Sequence, residues 1–142
     1  VEPAVHSLEE ETMQTHTGSC LCGVVRYRID ALTHCHCKMC RKAHGAAFAT
    51  YASVPLDAFH FMSGKDQLGV YHSSEHVTRT FCIRCGANLL FVDNREHEVG
   101  VAAGTLDSPL PEPPQSHIYV DSKADWYAIR DGMPQHNGDS PR

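Results

Sequence analysis

The chain has 142 residues, with 12 lysines and arginines against 17 aspartates and glutamates, giving a formal net charge of -5. That length fits one domain and buries a sizeable core without needing a metal to hold it together. The acidic balance gives no broad attraction for phosphate backbones. No apolar run is long enough to cross a membrane.

Residues 1–16 are polar and acidic, with Glu9, Glu10 and Glu11 in a row, and are expected to form a flexible arm. They lack the apolar segment of a signal peptide, so a cytoplasmic location is expected. His6 and His16 read as solvated. Residues 17–134 form the expected domain. Cys20 and Cys22 open it, flanked by Gly18 and Gly23, residues that permit a tight turn. Val25, Tyr27 and Ile29 then alternate with Arg26 and Arg28, the period of a half-buried strand. Residues 31–34 lead into a loop holding Cys35, Cys37 and Cys40. Residues 46–54, 59–61, 68–72, 76–81, 88–92, 98–103 and 117–120 each read as strands, separated by turn signals such as Ser63-Gly64-Lys65-Asp66. A Pro-rich link covers 109–114. Asp125, Trp126 and Tyr127 are expected to pack back over the sheet. From Asp131 the composition turns to Gly, Pro and Asn, and residues 135–142 are expected to be a disordered tail. About seven or eight short strands with few helical periods imply an all-β domain. Exposed strand edges leave room for a homodimer.

The seven cysteines are the chain's densest signal. An odd number leaves one over in any disulfide framework. Cysteines two apart on a strand also lie about 7 Å from one another, at the outer limit for a bridge. Thiolates on metal explain the pattern better. Cys20/Cys22 and Cys82/Cys85 are each followed by glycine. Grouped, they close a four-thiolate zinc site, and such a closed site is structural. Cys35, Cys37 and Cys40 remain. Three close ligands with an open fourth position are the pattern of a catalytic zinc, making two zincs per chain. The fourth position also has competing occupants. His34 or His44 could close the site, while His36, between two ligands, is expected to point away. An empty redox pair is a further reading, though no thioredoxin-like βαβ pattern surrounds it.

The stretches containing Cys20-Leu21-Cys22-Gly23, Cys35-His36-Cys37-Lys38-Met39-Cys40, Cys82-Ile83-Arg84-Cys85-Gly86, Gly104-Thr105-Leu106-Asp107 and His117-Ile118-Tyr119-Val120 resemble, in this order, the glutathione-dependent formaldehyde-activating enzyme family, which also includes centromere protein V. The resemblance implies an Mss4-like zinc-binding β-sheet domain. It implies a structural zinc on Cys20, Cys22, Cys82 and Cys85, and a second, catalytic zinc on Cys35, Cys37 and Cys40. The implied activity is that of a carbon–sulfur lyase joining a small-molecule thiol such as glutathione to an aldehyde, giving an adduct such as S-hydroxymethylglutathione. His44 departs from the small hydroxyl residue often found there. His34, His36 and His44 are the candidate general acids. Arg41 and Lys42 are either contacts for a glutathione carboxylate or ordinary surface cations. The competing function is a non-catalytic zinc module binding a protein or nucleic acid; the acidic charge disfavours nucleic acid.

Overall fold

Two antiparallel-based sheets carry the chain in the computed structural model, which describes residues 16–29, 31–109 and 115–139. The strands in chain order are β1 (His16–Ser19), β2 (Arg26–Ile29), β3 (Ala31–Cys35), β4 (Ala49–Pro55), β5 (His60–Ser63), β6 (Leu68–His72), β7 (Val77–Cys82), β8 (Asn88–Asp93), β9 (Glu98–Ala102) and β10 (His117–Ile118). Among the described residues one α-helix, α1, spans Lys38–His44. The small sheet runs β1-β2-β5, and the large one β10-β3-β4-β9-β8-β7-β6. The expected all-β, Mss4-like class therefore holds, with one helical turn pair added.

The alternation that marks a half-buried strand does set the core. In β7, Val77, Arg79, Thr80 and Cys82 are buried, and in β9 Val99, Val101 and Ala102. The main core packs Ala52, Val54, Leu89, Leu90, Val99 and Val101 around Val25, with Cys20 and Cys82 inside it. A second cluster joins Cys35, Cys40, Ala49, Tyr51 and Ile118. The two groups of cysteines therefore sit in two separate parts of the interior.

Three local expectations change. Residues 31–35 form β3, paired in register with β4 from Ala31–Ser53 to Cys35–Ala49. The three-cysteine stretch is half helix. Cys37 is its N-cap, its sulfur accepting from the Cys40 amide at 3.3 Å. Gly45, in the left-handed conformation at φ 59, ends it. Arg41, Lys42 and His44 fill the last turn, where positive charge suits the helix dipole. Seven residues are too few for a helical period to show in sequence. Finally, the stretch expected to fray runs beside β10. His117 donates to Pro134 and accepts from His136, both at 2.9 Å, and Tyr119 donates to the carbonyl of Gly138 at 3.1 Å. The 1–15 arm and the core of the Pro-rich link lie outside the described residues.

β10 runs parallel to β3. The His34 amide donates to Ser116 at 3.0 Å and the His36 amide to Ile118 at 2.9 Å. The second-cluster loop is thus held from both sides, by β4 and by a strand some eighty positions later. The first-cluster turn is held differently. Gly64, at φ +76, lies against it, and an added Cβ would stand 2.0 Å from the Val24 carbonyl oxygen. Gly64→Ala is expected to cost about 3 kcal/mol of stability. Denaturant unfolding of the two proteins side by side checks this, and an unmoved midpoint would refute it.

Candidate functional site

Four sulfurs meet where the β1–β2 turn approaches the β7–β8 turn. Cys20, Cys22, Cys82 and Cys85 have their sulfurs within 4.8 Å of one another. Cys20 to Cys22 is 3.5 Å and Cys22 to Cys82 is 3.8 Å. Four thiolates at tetrahedral zinc lie about 3.8 Å apart, from a bond of about 2.3 Å. The donor set and its spacing therefore fit a closed metal site. Cys20 and Cys82 are buried while Cys22 is exposed. The Val25 amide donates to the Cys20 sulfur at 3.4 Å. A backbone amide at Ala87 pulls the Cys85 thiol down to about 6. Both amides favour thiolate, the form a metal needs.

The second cluster has three members. Cys35, Cys37 and Cys40 again lie within 4.8 Å of one another, and no fourth ligand joins them among the described residues. Hydrogen bonds from Cys35 and Cys40 pull the Cys37 thiol down to about 2, while Cys35 is driven strongly upward by Cys37 and Cys40. Three sulfurs so close cannot all be negative unless a cation shares the space. This donor set therefore also fits a metal ion, with a position left over.

That cluster lines a cavity of about 390 Å³ whose wall includes Cys35, Cys37, Cys40, Tyr51, Arg79 and Phe91. The wall follows from the register. Ser53 pairs with Gly100, Gly100 with Phe91, and Phe91 with Arg79. Gly100 leaves the floor open, for a Cβ there would come 3.3 Å from the Tyr51 ring. Arg79 is buried, at 6 % exposure. Its guanidinium donates to Tyr51 Oη at 3.2 Å, and both terminal nitrogens approach the Cys40 sulfur at 3.8 Å. Its guanidinium carbon lies 5.3 Å from the Phe91 ring centre. Burial alone would lower its pKa, but Cys40 and Tyr51 outweigh that and the net shift is upward. Tyr51 keeps its proton, since burial first and the Cys40 sulfur second raise its phenol above the ordinary range.

The three candidate histidines part company. None lines the cavity. His34 bonds Thr50 Oγ1 at 2.6 Å and stacks on His117. His36 is fully buried, with Nε2 2.7 Å from His117 Nδ1, and His117 Nε2 is 2.9 Å from the Asp131 carboxylate. The carboxylate only accepts, so His117 donates from Nε2 and accepts from His36 Nε2–H. Burial, then His117, hold the His36 pKa down to about 4. As expected, then, His36 turns away from the sulfurs. His44 is the one that reaches a cavity residue, with Nε2 3.0 Å from Tyr51 Oη. Arg41 and Lys42 are also absent from the wall. Tyr51 and Arg79 were missed in the sequence. For Arg79 a signal existed: it lies two residues after Val77, on the same face of an alternating strand.

The class this geometry defines is a β-rich domain with two cysteine clusters that could each hold a metal ion, one of them lining a cavity. The chain matches the pattern of the "Glutathione-dependent formaldehyde-activating enzyme" family over residues 15–122. It belongs to that family. A Halomonas elongata protein named "Putative glutathione-dependent formaldehyde-activating enzyme" is 34% identical, with 79% of each chain covered. An uncharacterized lyase of Schizosaccharomyces pombe is 29% identical over 56% of this chain and 58% of its own. A solved Rhodobacter sphaeroides protein shares the fold, with a TM-score of 0.57 and 24% identity over 67% of this chain and 91% of its own. Among the described residues no helix is long and apolar enough to cross a membrane.

The two clusters should respond differently to loss of a sulfur. Cys82→Ser removes a sulfur from the core itself and is expected to abolish cooperative folding, since a metal held by all four sulfurs would contribute on the order of 10 kcal/mol. Cys35→Ser should leave a folded domain that binds one metal fewer per chain. Thermal unfolding and metal analysis by mass spectrometry read both results, and equal unfolding of the two variants would refute the division.

Proposed function

We propose that this chain is a zinc-dependent carbon–sulfur lyase that makes or breaks a thiol–aldehyde adduct such as S-hydroxymethylglutathione. One zinc belongs on Cys20, Cys22, Cys82 and Cys85, and a second on Cys35, Cys37 and Cys40. The observation that carries this reading is that Cys35, Cys37 and Cys40 line a cavity and that no fourth ligand joins them among the described residues, whereas Cys20, Cys22, Cys82 and Cys85 make a set of four. The family pattern and the names of the Halomonas and Schizosaccharomyces relatives support the same chemistry. All seven cysteines are free thiols, as a reducing compartment such as the cytoplasm would keep them.

When bound, the second zinc supplies positive charge that draws a substrate thiol towards thiolate near neutral pH. The chain's own residues do the rest. In the adduct-forming direction a sulfur–carbon bond forms, the carbonyl π bond breaks, and the proton given up by the thiol is balanced by one arriving at the new hydroxyl oxygen. Arg79 holds charge at the sulfur end and fixes the Tyr51 hydroxyl by donating to its oxygen. That leaves the Tyr51 proton to be donated. Because the phenol stays protonated, it can serve an oxygen that becomes negative. Phe91 and the open floor at Gly100 give the aldehyde and the thiol's carbon chain an apolar bed, which holds the two reactants together.

Two measurements bear on this. Metal-replete protein should bind glutathione in a calorimetric titration and speed adduct formation with formaldehyde, followed by NMR. Tyr51→Phe should reduce the rate about 100-fold while leaving the metal content unchanged and the domain folded. A protein that binds neither glutathione nor any other small thiol when loaded with zinc would overturn the reading in favour of a non-catalytic module.

A further inference from the structure

A second cavity, of about 420 Å³, shares no lining residue with the first. It is lined by His44, Ala46, Phe48, Thr50, Asn88 and Gly104, among others. His44 lines this cavity and not the first, while Tyr51 lines the first and not this one. Their 3.0 Å hydrogen bond is therefore a link through the partition between two spaces.

From this geometry we infer that Tyr51 and His44 form a proton passage, by which the second cavity supplies or removes the proton that the first consumes or releases. The inference rests on the function proposed above for the first cavity.

The passage is built with care for direction. Tyr51 Oη accepts from Arg79 at 3.2 Å. An arginine cannot accept, so the tyrosine's own proton is directed elsewhere. Towards His44 it meets Nε2, and the rings stand edge to face, 5.5 Å apart at 87°. His44 is held on the last turn of α1, four residues beyond Cys40 and so on the same helical face. Asn88 fixes that turn by donating to the Ala43 carbonyl at 2.7 Å. Gly45 then turns the chain away from the ring in the left-handed conformation.

In adduct cleavage, the adduct hydroxyl gives its proton to Tyr51 Oη as Tyr51 gives its own to His44 Nε2. The imidazole, now carrying two protons, loses one from Nδ1 to water in the second cavity. In adduct formation each transfer is reversed, and the alkoxide takes the Tyr51 proton. No electrons are exchanged, and each proton lost at one atom appears at the next. Burial, and then the charge of Arg79, lower the His44 pKa, so the ring rests neutral with a nitrogen free to accept and passes on any proton it takes.

The test is chemical rescue in the zinc-loaded full chain. His44→Ala should lower the rate of turnover of glutathione and formaldehyde about 100-fold. Added imidazole should restore it, and a series of substituted imidazoles should restore it in proportion to their basicity. The melting temperature should not change with imidazole. A loss that no imidazole repairs, or a repair that does not follow basicity, would overturn the passage. If the unaltered chain fails to turn over these substrates, the proposed function falls instead. The passage is then decided by NMR of the Tyr51 hydroxyl proton: slower exchange with solvent in His44→Phe than in the unaltered chain supports it, and equal exchange overturns it.

Discussion

The meeting of Cys22 and Cys82, sixty residues apart and 3.8 Å from sulfur to sulfur, is the contact on which the rest of the molecule depends. Two tight turns that share no hydrogen-bonded strand pair are brought together there. One belongs to the small sheet and the other to the large one. Cys20 and Cys82 then act as core residues among Val25, Val54 and Leu89. A thiolate in that setting is costly unless a cation neutralises it. A cation shared by the four sulfurs would therefore tie the two sheets together.

The second cluster uses the same chemistry for a different end. Its sulfurs come from the end of a strand, a helix cap and a helix interior, so three local conformations converge on one point. The convergence leaves one side bare, and that side is the cavity. Arg79 is what makes the bare side usable. A guanidinium so buried is held by a sulfur, a phenol and an aromatic face together. It in turn aims the phenol of Tyr51.

Much of this was legible in the sequence. The grouping of cysteines into four and three followed from glycine placement and number, and the sulfurs do cluster in that way. Strand positions such as 68–72 followed from turn residues on either side. What stayed hidden was non-local or too short. The helix at Lys38–His44 spans about two turns, so no apolar stripe can repeat in it. Tyr51 and Arg79 lie on strands that are not neighbours, separated by β9 and β8. Their contact depends on the order of strands in the sheet, which no local pattern encodes. The partition between two cavities is likewise a property of packing. His44 was noticed for its chemistry, but its partner was not. Gly, Pro and Asn near the end describe irregular backbone, and at His136 and Gly138 that backbone is tied by hydrogen bonds to His117, Tyr119 and Val120.

The parallel pairing of β10 with β3 has a consequence for assembly on the ribosome. The hydrogen bonds that set the backbone at His34 and His36 come from Ser116 and Ile118. Loop-closure entropy delays such distant pairings relative to hairpins. The four-sulfur scaffold can be completed once the β7–β8 turn has emerged, whereas the three-sulfur nest waits for a segment made much later. The four-sulfur cluster and most of the large sheet can thus take shape on a nascent chain while the backbone around Cys35 still lacks the strand that holds it from one side.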